Sequence, residues 1–337
     1  MLVVMSVDAT QAQIEAVAQR IREFGYTPHV IPGATRTAIG ITGNRGPEGQ
    51  DALRVMPGVD AVIRVTAPYK LVSRETQSEP TTVQVAGTRI GNGFTVIGGP
   101  CAVENEQMIM ETAEFLWQQG VRLLRGGAFK PRTSPYAFQG LGEAGLRLLA
   151  KVKERTGIGI VTEVLGVEDV DAVAEVADVV QVGTRNMQNY ALLRRLSKLR
   201  RPILLKRGMA ATLEELLMAA EYIVSGGNRE VILCERGVRT FADQTRNTLD
   251  LSAVPVVRSL SHLPIIIDPS HGTGKAEYVP AMSRAALAAG ADGLLVEVHP
   301  QPARALSDGA QSLDLAAFRE MHAALRPLAA ALGVEMC

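Results

Sequence analysis

The feature that most constrains the fold is a series of eight short apolar runs after residue 93. Each run consists mostly of Leu and β-branched residues and ends in Gly or a polar residue. The runs are FTVIGGP, VRLLRGG, GIVTEV, DVVQVG, PILLKRG, EVILCERG, LPIIIDPSHG and GLLVEVHP. Because amphipathic helical segments separate them, each run is predicted to form a buried strand of a parallel sheet.

Eight alternating strand and helix units over about 240 residues predict a (β/α)₈ barrel. A last helical segment, Leu315–Ala331, follows the eighth strand and completes the outer ring. The alternative architecture is an open, doubly wound sheet. A dinucleotide-binding domain is not indicated, because no GxGxxG sequence opens a helix after a strand.

The first 66 residues have a different pattern. A short β-rich run is followed by a helical segment with apolar residues at helical spacing, which stops at Gly25. Two strands, a short helix and a last strand follow, so the order βαββαβ predicts a small ferredoxin-like domain over residues 1–66. Residues 67–93 are interpreted as a polar linker and a β-hairpin, and residues 94–337 as the catalytic barrel.

The charge balance excludes some classes of partner. The chain has 35 basic and 35 acidic side chains, whereas nucleic acid or an anionic membrane requires a basic excess. No apolar segment reaches the roughly 18 residues of a membrane span, and the N-terminus lacks a basic signal-peptide region. The three Cys do not form a disulfide framework, so a cytoplasmic protein is expected, with pairing of Cys101 and Cys234 on oxidation left open.

Basic side chains follow four of the eight predicted strands, at the ends where barrel enzymes carry their chemistry. They are Arg125, Lys130 and Arg132, then Arg185, then Lys206 and Arg207, and finally Arg236. In a neutral protein this concentration predicts a local site for phosphate and carboxylate groups. The alternative is that these cations form salt bridges with Glu163, Glu235 and Asp268, and Arg207 is the one most expected to face away.

A second group of residues has the chemistry of metal ligands. Cys101, His271 and Glu297 each stand at the end of a different predicted strand, and Asp308 follows the eighth. A thiolate, an imidazole and carboxylates suit a catalytic Zn²⁺, Mn²⁺, Fe²⁺ or Co²⁺ ion. Since no two have the short spacing of a structural site, a core Cys and an ordinary loop His remain the alternative.

Seven segments in this order resemble 3-deoxy-D-arabino-heptulosonate 7-phosphate (DAHP) synthases. They are GGPCAVEN, LLRGGAFKPRTSPYAFQGLG, GTRNMQNY, PILLKRGM, ILCERGVRTF, IIIDPSHGTG and LLVEVHP. The resemblance covers the barrel, and the small first domain matches a class I subtype. It implies a transferase that condenses phosphoenolpyruvate with erythrose 4-phosphate and releases phosphate. This reaction is the first step of the shikimate pathway, which leads to the aromatic amino acids.

The resemblance also implies roles for single residues. The metal ligands fall on Cys101, His271, Glu297 and Asp308. The phosphoenolpyruvate site falls on Arg125, Lys130, Thr184, Arg185, Lys206 and Arg236. The phosphate of the aldose falls on Arg132, Thr133 and Ser134, with Asp268 beside the aldehyde. The chemistry of the reaction suggests Lys130 as general acid for the new alkoxide, with a metal-bound water as the alternative, and Glu163 as the residue that positions the attacking water.

Three other functions are weighed against this one. The sister family that makes 3-deoxy-octulosonate 8-phosphate uses arabinose 5-phosphate, but its loop typically reads KANRSS where this chain has KPRTS. A Schiff-base aldolase would use Lys130 or Lys206 as the nucleophile. A non-catalytic barrel that senses sugar phosphates would not need a metal-bound thiolate.

The small first domain adds a hypothesis of its own. In this subtype such a domain commonly binds an aromatic amino acid, so feedback inhibition by Tyr or Phe is expected from the resemblance. The alternative is a passive dimerisation module. A homotetramer is expected from the resemblance alone.

Overall fold

The computed structural model describes residues 1–33, 36–43, 49–63, 68–131 and 134–337. The chain divides into two compact units. The first consists of Met1–Pro80 with Ser259–His262, and the second of Thr81–Arg258 with Leu263–Cys337. Within the described ranges, no helix combines the length and the apolar composition needed to cross a membrane.

The first unit contains a four-stranded antiparallel sheet with two helices. Its elements are β1 (Leu2–Met5), α1 (Gln11–Glu23), β2 (Thr27–Pro32), β3 (Thr37–Thr42), α2 (Gln50–Arg54) and β4 (Val59–Ile63). The strand order β2-β3-β1-β4 confirms the predicted ferredoxin-like topology. Helix α1 begins with a capping box between Thr10 and Gln13, and its apolar face packs into the core of the unit.

The second unit is a closed parallel barrel of eight strands. A hairpin precedes it, formed by β5 (Val83–Val85) and β6 (Thr88–Ile90). The barrel strands are β7 (Thr95–Gly99), β8 (Leu123–Arg125), β9 (Gly159–Val164), β10 (Val179–Val182), β11 (Ile203–Lys206), β12 (Val231–Glu235), β13 (Ile265–Ile267) and β14 (Gly293–Glu297). Strand β14 pairs with β7, which closes the ring and confirms the barrel over the open sheet.

Helices surround the barrel. They are α3 (Glu106–Gln118), α4 (Glu143–Thr156), α5 (Val170–Val176), α6 (Tyr190–Leu196), α7 (Leu213–Ser225), α8 (Ala253–Leu260), α9 (Pro269–Thr273), α10 (Val279–Ala288) and α11 (Leu315–Ala331). Every residue of the eight barrel strands is buried, as expected for a parallel sheet covered on both faces.

The hairpin closes the end of the barrel where the strands begin. Val83, Val85 and Ile90 belong to the same apolar cluster as the barrel interior. The hydroxyl of Thr95, the first residue of β7, donates to the carbonyl oxygen of Arg89 at 2.6 Å. The opposite end, where the strands stop, is therefore the end that is open for a site.

Candidate active site

Four side chains with ligand chemistry converge at the open end of the barrel. Cys101 follows β7, His271 lies in α9 after β13, Glu297 is the last residue of β14, and Asp308 precedes α11. Their ligand atoms all lie within 4.8 Å of one another. The end of β7, which leads to the thiol, requires glycine, because Gly99 has φ +142° and an added Cβ would lie 2.0 Å from the carbonyl oxygen of Arg125.

The donor set fits a divalent transition metal ion. Cys101 Sγ lies 3.2 Å from Asp308 Oδ2. His271 Nε2 lies 3.5 Å from Glu297 Oε1 and 3.9 Å from Asp308 Oδ2. One sulfur, one imidazole nitrogen and two carboxylate groups match the ligands that Zn²⁺, Mn²⁺, Fe²⁺ and Co²⁺ take in proteins.

The protonation states agree with this assignment. Burial lowers the pKa of His271, which favours the neutral imidazole that a metal requires. Burial opposes ionisation of Asp308, but His271 and Arg246 hold the pKa of this carboxyl at about 2. Burial and the charge of Glu297 raise the pKa of the Cys101 thiol to about 11, so metal binding would displace a proton from it.

An ion-pair contact and several hydrogen bonds hold the candidate ligands in position. His271 Nδ1 lies 2.7 Å from Asp268 Oδ2. The amide of Gln311 donates to Glu297 Oε2 at 2.8 Å, and Arg246 donates to Gln311 Oε1 at 2.8 Å and Asp308 Oδ1 at 3.2 Å. The sequence analysis missed Gln311 and Arg246, because both lie in long connections without a periodic pattern.

A cavity of about 250 Å³ opens beside the four candidate ligands. Nine of the residues predicted from the sequence line it, namely Arg125, Lys130, Glu163, Thr184, Arg185, Lys206, Arg236, His271 and Asp308. Four other predicted and described residues do not line it: Ser134, whose side chain is exposed, and the buried Cys101, Asp268 and Glu297. The predicted positions Arg132 and Thr133 lie outside the described residues.

Several of the cations near the rim have acidic partners. Arg125 Nη1 lies 2.5 Å from Glu297 Oε1, and Lys206 Nζ contacts Asp268. The salt-bridge alternative is therefore correct for Lys206 and Asp268. It is also correct for Arg207, whose Nη1 lies 2.8 Å from Glu235 and 2.9 Å from Asp250.

Two buried cations, Arg236 and Lys130, differ from these because neither forms an ion pair with a described residue. Arg236 is 3% exposed and forms no ion pair with any described residue, and its Nε has no hydrogen-bond partner in that part of the chain. Burial lowers the pKa of this guanidinium, which means that its charge is poorly compensated. Lys130 Nζ donates to the carbonyl oxygen of Cys101 at 2.9 Å. Both side chains are thus available to bind an anion in the cavity.

The closed barrel, the S/N/O₂ ligand set and the buried cations define a metal-dependent barrel enzyme that acts on anionic substrates. The chain matches the DAHP synthetase I family over residues 74–332 and the DAHP synthase ferredoxin-like domain over residues 1–67. The chain therefore belongs to the DAHP synthetase I family. It is an enzyme of the metal-dependent DAHP synthase type, which condenses phosphoenolpyruvate with erythrose 4-phosphate.

Individual relatives agree with this membership. The chain is 50% identical over 337 residues, the full length of both chains, to a phospho-2-dehydro-3-deoxyheptonate aldolase of Thermotoga maritima. The crystal structure of that protein superposes with a TM-score of 0.80 and covers 100% of this chain and 99% of its own. A 2-dehydro-3-deoxyphosphooctonate aldolase of Syntrophotalea carbinolica is 36% identical and covers 70% of this chain and 91% of its own.

Proposed function

We propose that the condensation of phosphoenolpyruvate with erythrose 4-phosphate takes place in the cavity at the open end of the barrel. The observation that carries this proposal is the convergence of four ligand atoms within 4.8 Å of one another beside a cavity lined by Arg236 and Lys130. The first group fits a divalent metal ion, and the second fits an anionic substrate.

The cations of the cavity suit phosphoenolpyruvate, which carries about three negative charges. Arg236 and Lys130 would bind the anion first, because no carboxylate competes for them among the described residues. Arg185, Thr184 and Lys206 line the same cavity and extend the binding surface. Arg125 would contribute less charge, since Glu297 already partners its guanidinium.

When bound, a divalent metal would supply Lewis acidity toward the aldehyde of the acceptor sugar. Lys130 would donate a proton to the oxygen that becomes the new alkoxide, while C3 of phosphoenolpyruvate bonds to the aldehyde carbon. Glu163 would hold the water that adds at C2, because its carboxylate faces the cavity and accepts from Gln181 Nε2 at 3.3 Å. Phosphate then leaves by cleavage of its C–O bond.

Asp268 acts on two neighbours at once. It contacts Lys206 Nζ and lies 2.7 Å from His271 Nδ1. Burial opposes its ionisation, but His271 and Lys206 hold the pKa of this carboxyl well below its usual range. We infer that Asp268 stays ionised and fixes the orientation of both side chains.

The phosphate of the sugar is assigned to Arg132, Thr133 and Ser134 on the KPRTS segment, by residue type and family resemblance.

The rival acceptor is arabinose 5-phosphate. The full-length relative at 50% identity is a heptonate aldolase, whereas the octonate aldolase is 36% identical and covers 70% of the chain, so the four-carbon sugar is favoured. The test is phosphate release from phosphoenolpyruvate with each sugar separately, before and after EDTA and with Mn²⁺ added back. Release with erythrose 4-phosphate alone, lost with EDTA and restored by metal, is the expected result. Release that EDTA does not change would contradict the metal proposal.

The same assay identifies the metal. Stripped enzyme is reconstituted with Mn²⁺, Fe²⁺, Co²⁺ or Zn²⁺, and the turnover of each form is compared. We expect all four ions to restore some activity, because a mixed S/N/O₂ ligand set does not select strongly among them.

We further propose that residues 1–66 form a regulatory domain, joined by residues 67–93 to the catalytic barrel of residues 94–337. Support comes from the separate core of the first unit and from the family match of residues 1–67. Tyr or Phe is the proposed effector, in a homotetramer. Tyr and Phe should inhibit the full chain but not a chain that lacks residues 1–66, and light scattering measures the assembly. Inhibition that survives the deletion would contradict this role and favour a passive module.

A further inference from the structure

Glu104 lies between two of the segments that carry the candidate ligands. It is three residues after Cys101, immediately before the residue that caps helix α3. Its Oε1 accepts a hydrogen bond of 2.8 Å from the backbone N–H of Leu306. Leu306 is two residues before Asp308, so this bond ties the Cys101 segment to the Asp308 segment outside the cavity.

The other oxygen of the same carboxylate faces His299. His299 Nε2 lies 3.5 Å from Glu104 Oε2, and the two side chains are 6% and 8% exposed, respectively. His299 Nδ1 accepts from the backbone N–H of Gln301 at 3.0 Å, which places the ring proton on Nε2, facing the carboxylate. Because His299 follows Glu297 by two residues, the Glu104 carboxylate reaches the segments of three candidate ligands.

The segment that this carboxylate holds is also held at its far end, where Ser307 Oγ lies 3.0 Å from Cys101 Sγ and Arg246 donates to Asp308 Oδ1. Several of the residues between 301 and 306 are exposed, and the segment borders a cavity of about 440 Å³ on its outer side. At its end Asp308 has a left-handed backbone with φ 53°, a conformation that Asp adopts more readily than most non-glycine residues. The hydrogen bond from Leu306 to Glu104 therefore anchors the exposed stretch that leads to Asp308.

The structure assigns to Glu104 the role of positioning residue for the metal site. Its carboxylate fixes the distance between the Cys101 and Asp308 segments, and His299, whose Nε2 has no hydrogen-bond partner among the described residues, lies 3.5 Å from its second oxygen. Metal sites require their ligands to be held within about 0.5 Å of the productive geometry. This inference rests on the proposed metal site.

The test is calorimetric titration of the metal-stripped full chain with Mn²⁺, together with the thiolate-to-metal absorption of the Co²⁺ form. Glu104→Ala should raise the Kd for Mn²⁺ by about 10- to 100-fold, as expected for the loss of an outer-shell partner. Glu104→Gln should stay closer to the wild type, because its amide oxygen can still accept from Leu306. At saturating Mn²⁺ the turnover of Glu104→Ala should recover, because all four ligands are still present.

Glu111→Ala is the matched control. Glu111 borders the same outer cavity, but its side chain is exposed, and no hydrogen bond to the 299–308 segment is found among the described residues. The Kd of the Glu111→Ala variant for Mn²⁺ should equal that of the wild type. His299→Asn is an independent variant, because the Asn oxygen can replace Nδ1 as acceptor while the donor facing Glu104 is lost. It should weaken Mn²⁺ binding less than Glu104→Ala does.

The outcomes distinguish failure of the Glu104 inference from failure of the proposed metal site. A wild-type chain that binds neither Mn²⁺ nor Co²⁺ would contradict the metal site itself. If the wild type binds both ions and Glu104→Ala shows the same Kd and the same Co²⁺ spectrum, the role of Glu104 is overturned while the metal site stands. Weakened binding by Glu104→Ala with recovery in Glu104→Gln would establish it.

Discussion

The two ends of the barrel are built by the same eight strands, and they differ in almost every other respect. At the end where the strands begin, the β5–β6 hairpin fills the opening with Val83, Val85 and Ile90. At the end where they stop, buried acids and bases surround an open cavity. The first end contributes apolar burial to stability, whereas the second retains buried charge, such as that of Arg236, which opposes folding. The difference shows how one strand can serve stability at one end and chemistry at the other.

The largest expected effect compares two buried cysteines. Cys101 lies at the open end and Cys234 in the apolar interior of the barrel. Cys101→Ala should weaken Mn²⁺ binding by more than about 100-fold, because the loss of a ligand exceeds the loss of an outer-shell partner. Activity should fall with it.

Cys234→Ala is the control for this prediction. It should leave the Kd for Mn²⁺ unchanged and lower the free energy of unfolding, because it creates a small cavity in the barrel interior. Equal metal affinities of the two variants, measured by calorimetry, would contradict the assignment of Cys101.

The second prediction concerns Arg236 at the open end and expects opposite effects on substrate binding and on the free energy of unfolding. Arg236→Met should weaken phosphoenolpyruvate binding by about 2–5 kcal/mol, the usual range for removing one partner of a buried charge pair. In the absence of substrate it should raise the free energy of unfolding, because a buried cation without an acidic partner is removed. Substrate titration and denaturant unfolding measure the two effects.

Arg239→Met is the matched control for Arg236. Arg239 lies three residues further along the same connection, and its side chain is exposed. In Arg239→Met the affinity for phosphoenolpyruvate and the free energy of unfolding should both change little. Loss of stability in Arg236→Met would show that this guanidinium is structural.

The third prediction concerns the closed end. Ile90→Ala should lower the free energy of unfolding by about 2–5 kcal/mol, as for other large apolar residues truncated in a core. The KM values for both substrates should not change.

Trp117 is the only tryptophan of the chain and lies on α3, so its fluorescence follows unfolding of the barrel. Gln84→Ala, exposed on the same hairpin, should be neutral; an altered KM in Ile90→Ala would show that the two ends are coupled.

The smallest expected effect depends on pH. Burial and the charge of Arg326 lower the pKa of His322, which stacks on Phe318, from 6.5 to about 4. The unfolded chain therefore binds more protons than the folded chain between these pH values, and stability falls as the pH decreases through this range. The loss is at most about 3 kcal/mol, at 1.36 kcal/mol per pKa unit.

His322→Phe keeps a ring against Phe318 and removes the titrating group. Its free energy of unfolding should fall less than that of the wild type between pH 7 and pH 4.5, as denaturant titrations at the two pH values would show. Equal losses in both proteins would contradict this origin of the acid sensitivity.

The sequence predicted the fold better than the contacts of the site. Parallel strands buried on both faces form continuous apolar runs, so eight strands and the closed ring could be predicted from pattern alone. The positions of Cys101, His271 and Glu297 could be predicted as well, because each stands beside or just after a strand end. Which of them bind a metal stays a prediction.

The partners of these residues could not be predicted. Arg125 and Lys206 are the last residues of their strands and Arg236 directly follows one, yet the first two contact carboxylates and the third does not. Gln311 and Glu104 contact the ligand segments from irregular connections, where no periodicity indicates which way a side chain points. Pairing of this kind depends on the three-dimensional course of loops, which residue type alone does not specify.

The pairing of β14 with β7 has a consequence for biosynthesis. Cys101 follows the first strand of the barrel, whereas Glu297 ends the last one and Asp308 lies beyond it. During translation the thiol leaves the ribosome about 200 residues before the second carboxylate, at some 5–20 residues per second. The four candidate ligands can therefore meet only after the last strand has been made and the ring has closed, near the end of synthesis.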